Sequence, residues 1–135
     1  MATIKLCTDL EQSKKLAEIL PLESADMYWW STSLRYYIEA IDDGDFNEEE
    51  GHIRAWSLAA LLDILPDDWW GYNKHYFLEI SKMGDSGKPY VRYFRFREDW
   101  EGANFGRITH ISYTSDSLVD ACYEMILKLH ELNLL

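Results

Sequence analysis

Towards the C-terminus the apolar residues recur at steps of three and four: Leu118, Ala121, Cys122, Met125, Ile126, Leu129 and Leu132. That spacing lines them up on one face of an α-helix. The pattern therefore predicts a helix over about 116–132, capped by Asp116 or Ser117, with Asp120 near its start where a negative charge suits the helix dipole. Leu10, Leu16, Ala17 and Leu20 repeat the pattern more loosely and predict a helix over about 9–20. Asp9 is its cap, Lys14 and Lys15 lie on its wet side, and Pro21 ends it. A short apolar helix over about 56–65 follows, started by Ser57 or the residue before it and bounded by Pro66.

Elsewhere the period shortens to two. Tyr76, Leu78 and Ile80 alternate with Glu79 and Ser81, which predicts a half-buried strand over about 76–83. Gly84-Asp85-Ser86-Gly87 reads as a hairpin loop, and the strand over about 89–97 answers it. Along that strand Tyr90, Arg92, Phe94 and Phe96 share one face, and Val91, Tyr93, Arg95 and Arg97 the other. A third antiparallel strand is expected over about 107–113. Residues 27–41 are rich in aromatic and β-branched side chains and read as one or two strands. Leu34, Tyr37, Ile38 and Ile41 also fit a helix, so periodicity leaves both readings open there. Residues 42–51 read as a loop, with six acids, two glycines and an asparagine in ten positions, and Pro66–Gly71 reads as a turn.

These elements define an α+β fold over 1–135, an antiparallel sheet of at least three strands packed against helices. The length of 135 residues suits a single domain, and 47% hydrophobic content suits a packed core. No repeat, linker or low-complexity tract interrupts it. Six Trp, nine Tyr and five Phe are more rings than such a core readily hides, so some are expected at the surface, where they would also suit a homodimer. Cys7 and Cys122 are too few for a disulfide framework and are expected to be reduced and buried. The N-terminus has no long apolar stretch, and the longest apolar run, Leu58–Leu62, is far short of a membrane span. A cytoplasmic location follows as the expectation.

Charge changes this picture in one place. Residues 36–68 carry ten acids (Glu39, Asp42, Asp43, Asp45, Glu48, Glu49, Glu50, Asp63, Asp67 and Asp68) against Arg54 alone, and so hold most of the net charge of −11. A field so localised points to a basic partner, a cation or a solvated loop, and the overall charge argues against direct binding to nucleic acid or an anionic membrane. Within it, Asp43, Asp45 and Asn47 have the spacing that opens an EF-hand calcium loop, but Glu48 stands where that loop needs glycine and Arg54 where it needs an acid. A solvated loop is the stronger reading.

Candidate chemistry is sparse. His52, His75, His110 and His130 show no metal-ligand spacing, although His75 and His110 could meet across a sheet. No phosphate-binding glycine loop or framed nucleophile is present. No metal, cofactor or catalytic residue is therefore assigned. Two features remain. The segment Lys82–Arg107 interleaves bases with rings, and its Arg92, Arg95, Arg97 and Tyr93 suggest a basic, aromatic sheet face of the kind that contacts single-stranded nucleic acid. Nearby acids dilute it, and arginine stems commonly just cover a sheet. Trp29-Trp30 and Trp69-Trp70 are adjacent pairs whose members must point opposite ways in an extended chain. Asp67, Asp68, Trp69, Trp70 and Tyr72 together would make an anchor with an acidic rim.

The order helix, three antiparallel strands, helix over 55–131 is similar to a double-stranded-RNA-binding domain. The run Asp116-Ser117-Leu118-Val119-Asp120-Ala121 looks like the end of HicB-type antitoxin domains. The RNA-binding family has a basic start to its last helix, where this chain carries Asp116, Asp120 and Glu124. A closer resemblance is to small uncharacterised bacterial proteins carried on phages and other mobile elements. It rests on Lys5–Leu10 with the helix behind it, on Ala55–Leu62 through Pro66, and on Asp120–Ile126 to the C-terminus, and such sequences tend to have proline where this chain has Arg54. The resemblance implies a small accessory or host-interacting protein and no particular activity. The leading expectation is thus a non-enzymatic protein-interaction module. Its contact residues would be Asp42, Asp43, Asp45, Glu48, Glu49, Glu50, Asp67, Asp68, Trp69, Trp70 and Tyr72, and a sharper version is a decoy whose acids imitate nucleic-acid phosphates. The alternative is a small-molecule-binding or catalytic domain with an aromatic, arginine-lined cleft.

Overall fold

Each helix starts where a side chain takes up backbone N–H groups that have no carbonyl one turn back. The computed structural model describes residues 5–41, 45–84, 86–97 and 106–135. In it, α1 (Leu10–Ile19) follows Asp9, whose carboxylate accepts the Gln12 N–H (2.8 Å) while the Gln12 side chain accepts the Asp9 N–H (3.1 Å), a reciprocal capping box. Helix α2 (Leu58–Ile64) is capped by Ser57, which accepts the Ala60 N–H at 3.2 Å. Helix α3 (Leu118–Glu131) is capped by Ser117, which accepts the Asp120 N–H at 3.1 Å. All three expected helices are present, with ends within a residue or two of those read from the sequence. No helix among the described residues is long and apolar enough to cross a membrane.

The chain divides into two compact units, Lys5–Ile64 and Leu65–Leu135. In the first, residues 27–41 form two strands, β1 (Met27–Ser31) and β2 (Tyr36–Ala40), and β3 (Ile53–Ala55) pairs on the far side of β1, giving an antiparallel order β2-β1-β3. The register sets Trp29 beside Ile38 and Ile53, and Tyr28 beside Glu39 and Arg54. Leu34, which made a helix conceivable here, sits in the connecting turn and is 90% exposed. The core of this unit holds Leu16, Leu61, Ala55 and Trp56, all without accessible surface, together with the buried polar pair Thr8 and Ser13.

The second unit is a four-stranded antiparallel meander of β4 (Asp68–Gly71), β5 (Lys74–Ser81), β6 (Tyr90–Phe96) and β7 (Arg107–Thr114), with α3 packed on β6 and β7. Val91 and Tyr93 are fully buried, Ile111 nearly so, and α3 contributes Cys122, Met125, Ile126 and Leu129 without exposed surface. The three predicted strands are thus present, and a fourth replaces the turn expected at Pro66–Gly71. Its Asp68 and Gly71 are residues that disfavour central strands, but β4 lies at the edge of the sheet, where only one side needs pairing. Both cysteines are free thiols inside protein, Cys7 in the first unit and Cys122 in the second. Burial pushes the Cys122 thiol up to about 12 and raises Cys7 as well, so neither is suited to act as a nucleophile.

Candidate functional site

The Trp69-Trp70 pair behaves as the alternation of a strand requires. Trp69 turns to the side of Tyr93, stacks on Tyr76 (ring centroids 4.2 Å apart) and meets Tyr93 and His110 edge-on. Gly71 makes room for it: a Cβ there would lie 2.7 Å from the Trp69 ring. Trp70 turns the other way, stacks on His75 (4.4 Å) and stays 67% exposed. His75 is held in turn by the Asp68 carboxylate at 2.5 Å.

The connection from β4 to β5 is a two-residue turn, Tyr72-Asn73, with φ of 52° and 62°. Both values lie in the left-handed region, as a type I′ hairpin turn demands and as glycine or asparagine would adopt most readily. Tyr72 is a bulky residue in that conformation, and its side chain is 93% exposed. It gains little packing for the strain it carries.

From Trp70 the rings continue across the sheet. His75 meets Phe77 (4.2 Å), Phe77 meets Phe94 (6.0 Å) and Phe96 (5.7 Å), and Phe94 meets Phe96 edge-on (5.5 Å). The guanidinium of Arg107 lies 4.6 Å over Phe94 and helps to bury it. Beside these rings Glu79 accepts hydrogen bonds from Tyr90 (2.7 Å), Arg92 (2.9 Å) and Arg107 (3.2 Å). Burial alone would push the Glu79 carboxyl up, but the hydrogen bonds from Tyr90 and Arg92 and the charges of Arg92 and Arg107 outweigh it and hold the carboxyl below the usual glutamate range. An open groove of about 300 Å³ runs along the end of this face, lined by Trp70, Asn73, Lys74, His75, Phe77, Arg95 and Phe96.

The proposed basic, aromatic face is therefore divided. Arg92 lies beside the phenylalanines, bound to Glu79. Tyr93 is on the opposite side with no accessible surface, donating its hydroxyl to the Pro66 carbonyl at 2.6 Å, and burial raises its pKa; it is withdrawn from any contact face. Arg95 borders the groove, and Arg97 is exposed beyond the end of β6. His75 and His110 do not meet. Strand β6 separates their strands, and His75 packs on Trp70 and Phe77 whereas His110 packs on Tyr76 and Trp69.

The acidic stretch lies in the other unit, except for Asp67 and Asp68. Asp42 and Asp43 fall outside the described residues. From Asp45 onward the chain is pinned to β1: Phe46 meets Tyr28 edge-on (5.6 Å), His52 stacks on Tyr28 (4.9 Å), and the His52 Nδ1 accepts the Asn47 N–H (3.0 Å). Between these anchors Glu48–Glu50 form one 3-10 turn with all three side chains outward, Glu48 paired with Arg54 at 3.1 Å. The Asn47 side-chain oxygen, which the calcium reading would point at a cation, instead accepts the Glu49 N–H (2.9 Å) and caps the turn. No group of three His, Cys, Asp or Glu side chains placed to hold a metal occurs among the described residues.

Sequence reasoning missed His75, Phe77, Lys74 and Asn73 as parts of one groove. The available signal was the Trp70–His75 cross-strand pairing, which becomes visible once β4 is recognised as a strand. No family model matches the chain, and neither does any curated protein or solved structure.

Proposed function

We propose that this chain is a non-enzymatic protein-interaction module that anchors a partner on the tip of the β4–β5 hairpin. One observation carries the reading: Tyr72, a large ring almost wholly exposed, is held in a left-handed backbone conformation that glycine or asparagine would adopt more easily. A strained, exposed aromatic contributes little to folding, and its use is sought outside the fold. Trp70 beside it is 67% exposed and is stiffened from behind by His75, so little side-chain entropy remains to be lost on binding. Asp67 and Asp68 supply an acidic rim, which fits a basic partner.

The test compares wild type with Trp70→Ala/Tyr72→Ala in capture from a nuclease-treated host lysate, with circular dichroism to confirm the fold. A specific protein held by wild type and lost on the double variant is the expected result. Retention of every captured protein by the double variant would overturn the reading.

A sharper version treats the acids of residues 42–50 as imitations of phosphates that occupy a nucleic-acid-binding protein. Its support is that Glu48–Glu50 are carried outward on a turn anchored at Phe46 and His52. Binding should then weaken steeply with salt and with neutralisation of Asp42 to Glu50. Unchanged capture by the neutralised protein removes this version and leaves the hairpin reading standing.

A further inference from the structure

The acidic turn of the first unit is tied to its sheet through one imidazole, and the tie uses a ring nitrogen that can take up a proton. The His52 Nδ1 accepts the Asn47 N–H at 3.0 Å, so its lone pair is engaged and the ring of the anchored turn carries its proton on Nε2. Asn47 is the junction of that turn. Its carbonyl accepts the Glu50 N–H (3.1 Å), and its side-chain oxygen accepts the Glu49 N–H (2.9 Å). The His52 ring is fixed from the other side: it stacks on Tyr28 of β1 (4.9 Å), with its side chain only 14% exposed. A second proton can enter the ring only at Nδ1. There it meets the Asn47 N–H donor to donor, and the bond between them is lost.

The charges around the ring decide which partner moves. Among the described residues, Glu50 on the same segment places a carboxylate oxygen 3.7 Å from Nε2. Glu39 on β2 accepts the hydroxyl of Tyr28, the residue under the ring, at 2.9 Å. Arg54 on β3 lies 4.4 Å over Phe46, and its charge is paired with Glu48 at 3.1 Å. Both acids and the Tyr28 face favour an imidazolium where the ring already sits. The ring therefore stays on Tyr28, and the Asn47 N–H leaves.

We infer that His52 is a proton-operated latch: protonation of its Nδ1 releases Asn47 and opens the Glu48–Glu50 turn. The sign follows from proton counting. The latched turn excludes a proton from Nδ1 and the open one accepts it, so opening is favoured as the pH falls through the titration of His52. Phe46 on Tyr28 and Arg54 on Glu48 are not released by that proton, so the opening is local and the sheet stays intact. The inference goes beyond the proposed function, and it is read on the free protein, where no partner enters.

The test is amide hydrogen exchange of the full chain, followed by ¹⁵N-edited NMR across a pH series and corrected for the intrinsic exchange rate at each pH. The titration of His52 is followed in the same samples through its Cε1–H, assigned by the signal lost in His52→Phe. Protection of the Asn47 and Glu49 amides should fall by about tenfold, the worth of one hydrogen bond, with a midpoint that coincides with the His52 titration. The Leu61 amide, bound to the Ser57 carbonyl in the same unit, should not change and reports that the fold is intact. His52→Phe keeps a ring for Tyr28 but has no acceptor, so Asn47 should be unprotected at every pH. His52→Gln cannot titrate in this range and should show no step. Protection of Asn47 that stays constant through the His52 titration overturns the latch. A loss confined to Asn47, with Glu49 still protected, shows a broken bond in a turn that stays closed and overturns it too. A step that persists in His52→Gln would belong to the carboxylates and would also overturn it.

Discussion

Tyr72 is where folding and use separate most clearly. Position one of a type I′ turn favours asparagine, which tolerates the left-handed region far better than tyrosine does. Tyr72→Asn should therefore stabilise the protein by roughly 0.5–1 kcal/mol, seen as a higher urea midpoint with unchanged slope, while partner capture falls. A destabilised Tyr72→Asn would mean that the ring packs usefully and would remove the argument from strain. Thr8 shows the opposite case, a polar side chain fully committed to the fold. Its hydroxyl accepts the Trp56 N–H (3.1 Å) and pairs with Ser13 (2.7 Å), and its carbonyl accepts the Trp29 indole N–H (3.0 Å). Thr8→Val keeps the shape but strands the Trp56 N–H in a site without accessible surface and leaves the Ser13 hydroxyl only its long bond to the Thr8 carbonyl (3.4 Å). The expected cost is about 2 kcal/mol, against little change for Thr8→Ser, with both read from urea unfolding. Tyr72 stood out in the sequence as a contact residue but not as a left-handed turn residue, and Thr8 did not stand out at all. A turn of Tyr-Asn lacks the usual Asn-Gly signature, and nothing local marks one threonine among several as a buried hub.

At the scale of elements the sequence was most readable where one face is buried and the end is capped. Helix α3 has both signals, an unbroken apolar stripe and Ser117, and strands β5 and β6 were legible from their alternation, although a register shift in β6 buries the neighbours Tyr93 and Phe94 together. The reading failed where tertiary context outweighs local preference. Residues 27–41 fit both periods until pairing with β3 decided for strands, and β4 was mistaken for a turn because an edge strand tolerates aspartate and glycine. That error hid the groove, since only the β4–β5 register brings Trp70 over His75. The β5–β6–β7 face also carries a pH signature. Glu79 titrates below its ordinary value in the native state, so its contribution to stability is fully present above the ordinary value of 4.5 and is lost as the pH falls through the lowered native one. The stability difference between wild type and Glu79→Gln should be constant near neutrality and shrink through that acid window, measured by thermal unfolding at a series of pH values. A difference that stayed constant down to the lowest pH would mean that Arg92, Arg107 and Tyr90 do not favour the ionised carboxylate.

For the molecule as a whole, the distribution of charge matters more than its total. Residues 5–64 hold thirteen acids and five bases, and the rest of the chain holds eleven and eight. A basic partner of the proposed kind would therefore meet a long-range field dominated by one unit, while the exposed rings proposed as its anchor belong to the other. Field and anchor act on different steps of binding. Exposed charges steer the encounter and set the association rate, whereas a buried aromatic contact sets how long the complex lasts. Once a partner is in hand, surface plasmon resonance should separate the two. Asp45→Asn/Glu49→Gln/Glu50→Gln, which leaves the Glu48–Arg54 pair intact, should slow association by about tenfold at low salt and leave dissociation nearly unchanged. Trp70→Ala should speed dissociation by about tenfold or more, the loss expected of an anchor residue, and leave association nearly unchanged. Raising the salt should bring wild type down to the association rate of the neutralised variant, because screening removes the same term. If the triple variant instead changed only dissociation, its acids would be in direct contact with the partner, and steering by the unit of residues 5–64 would be excluded.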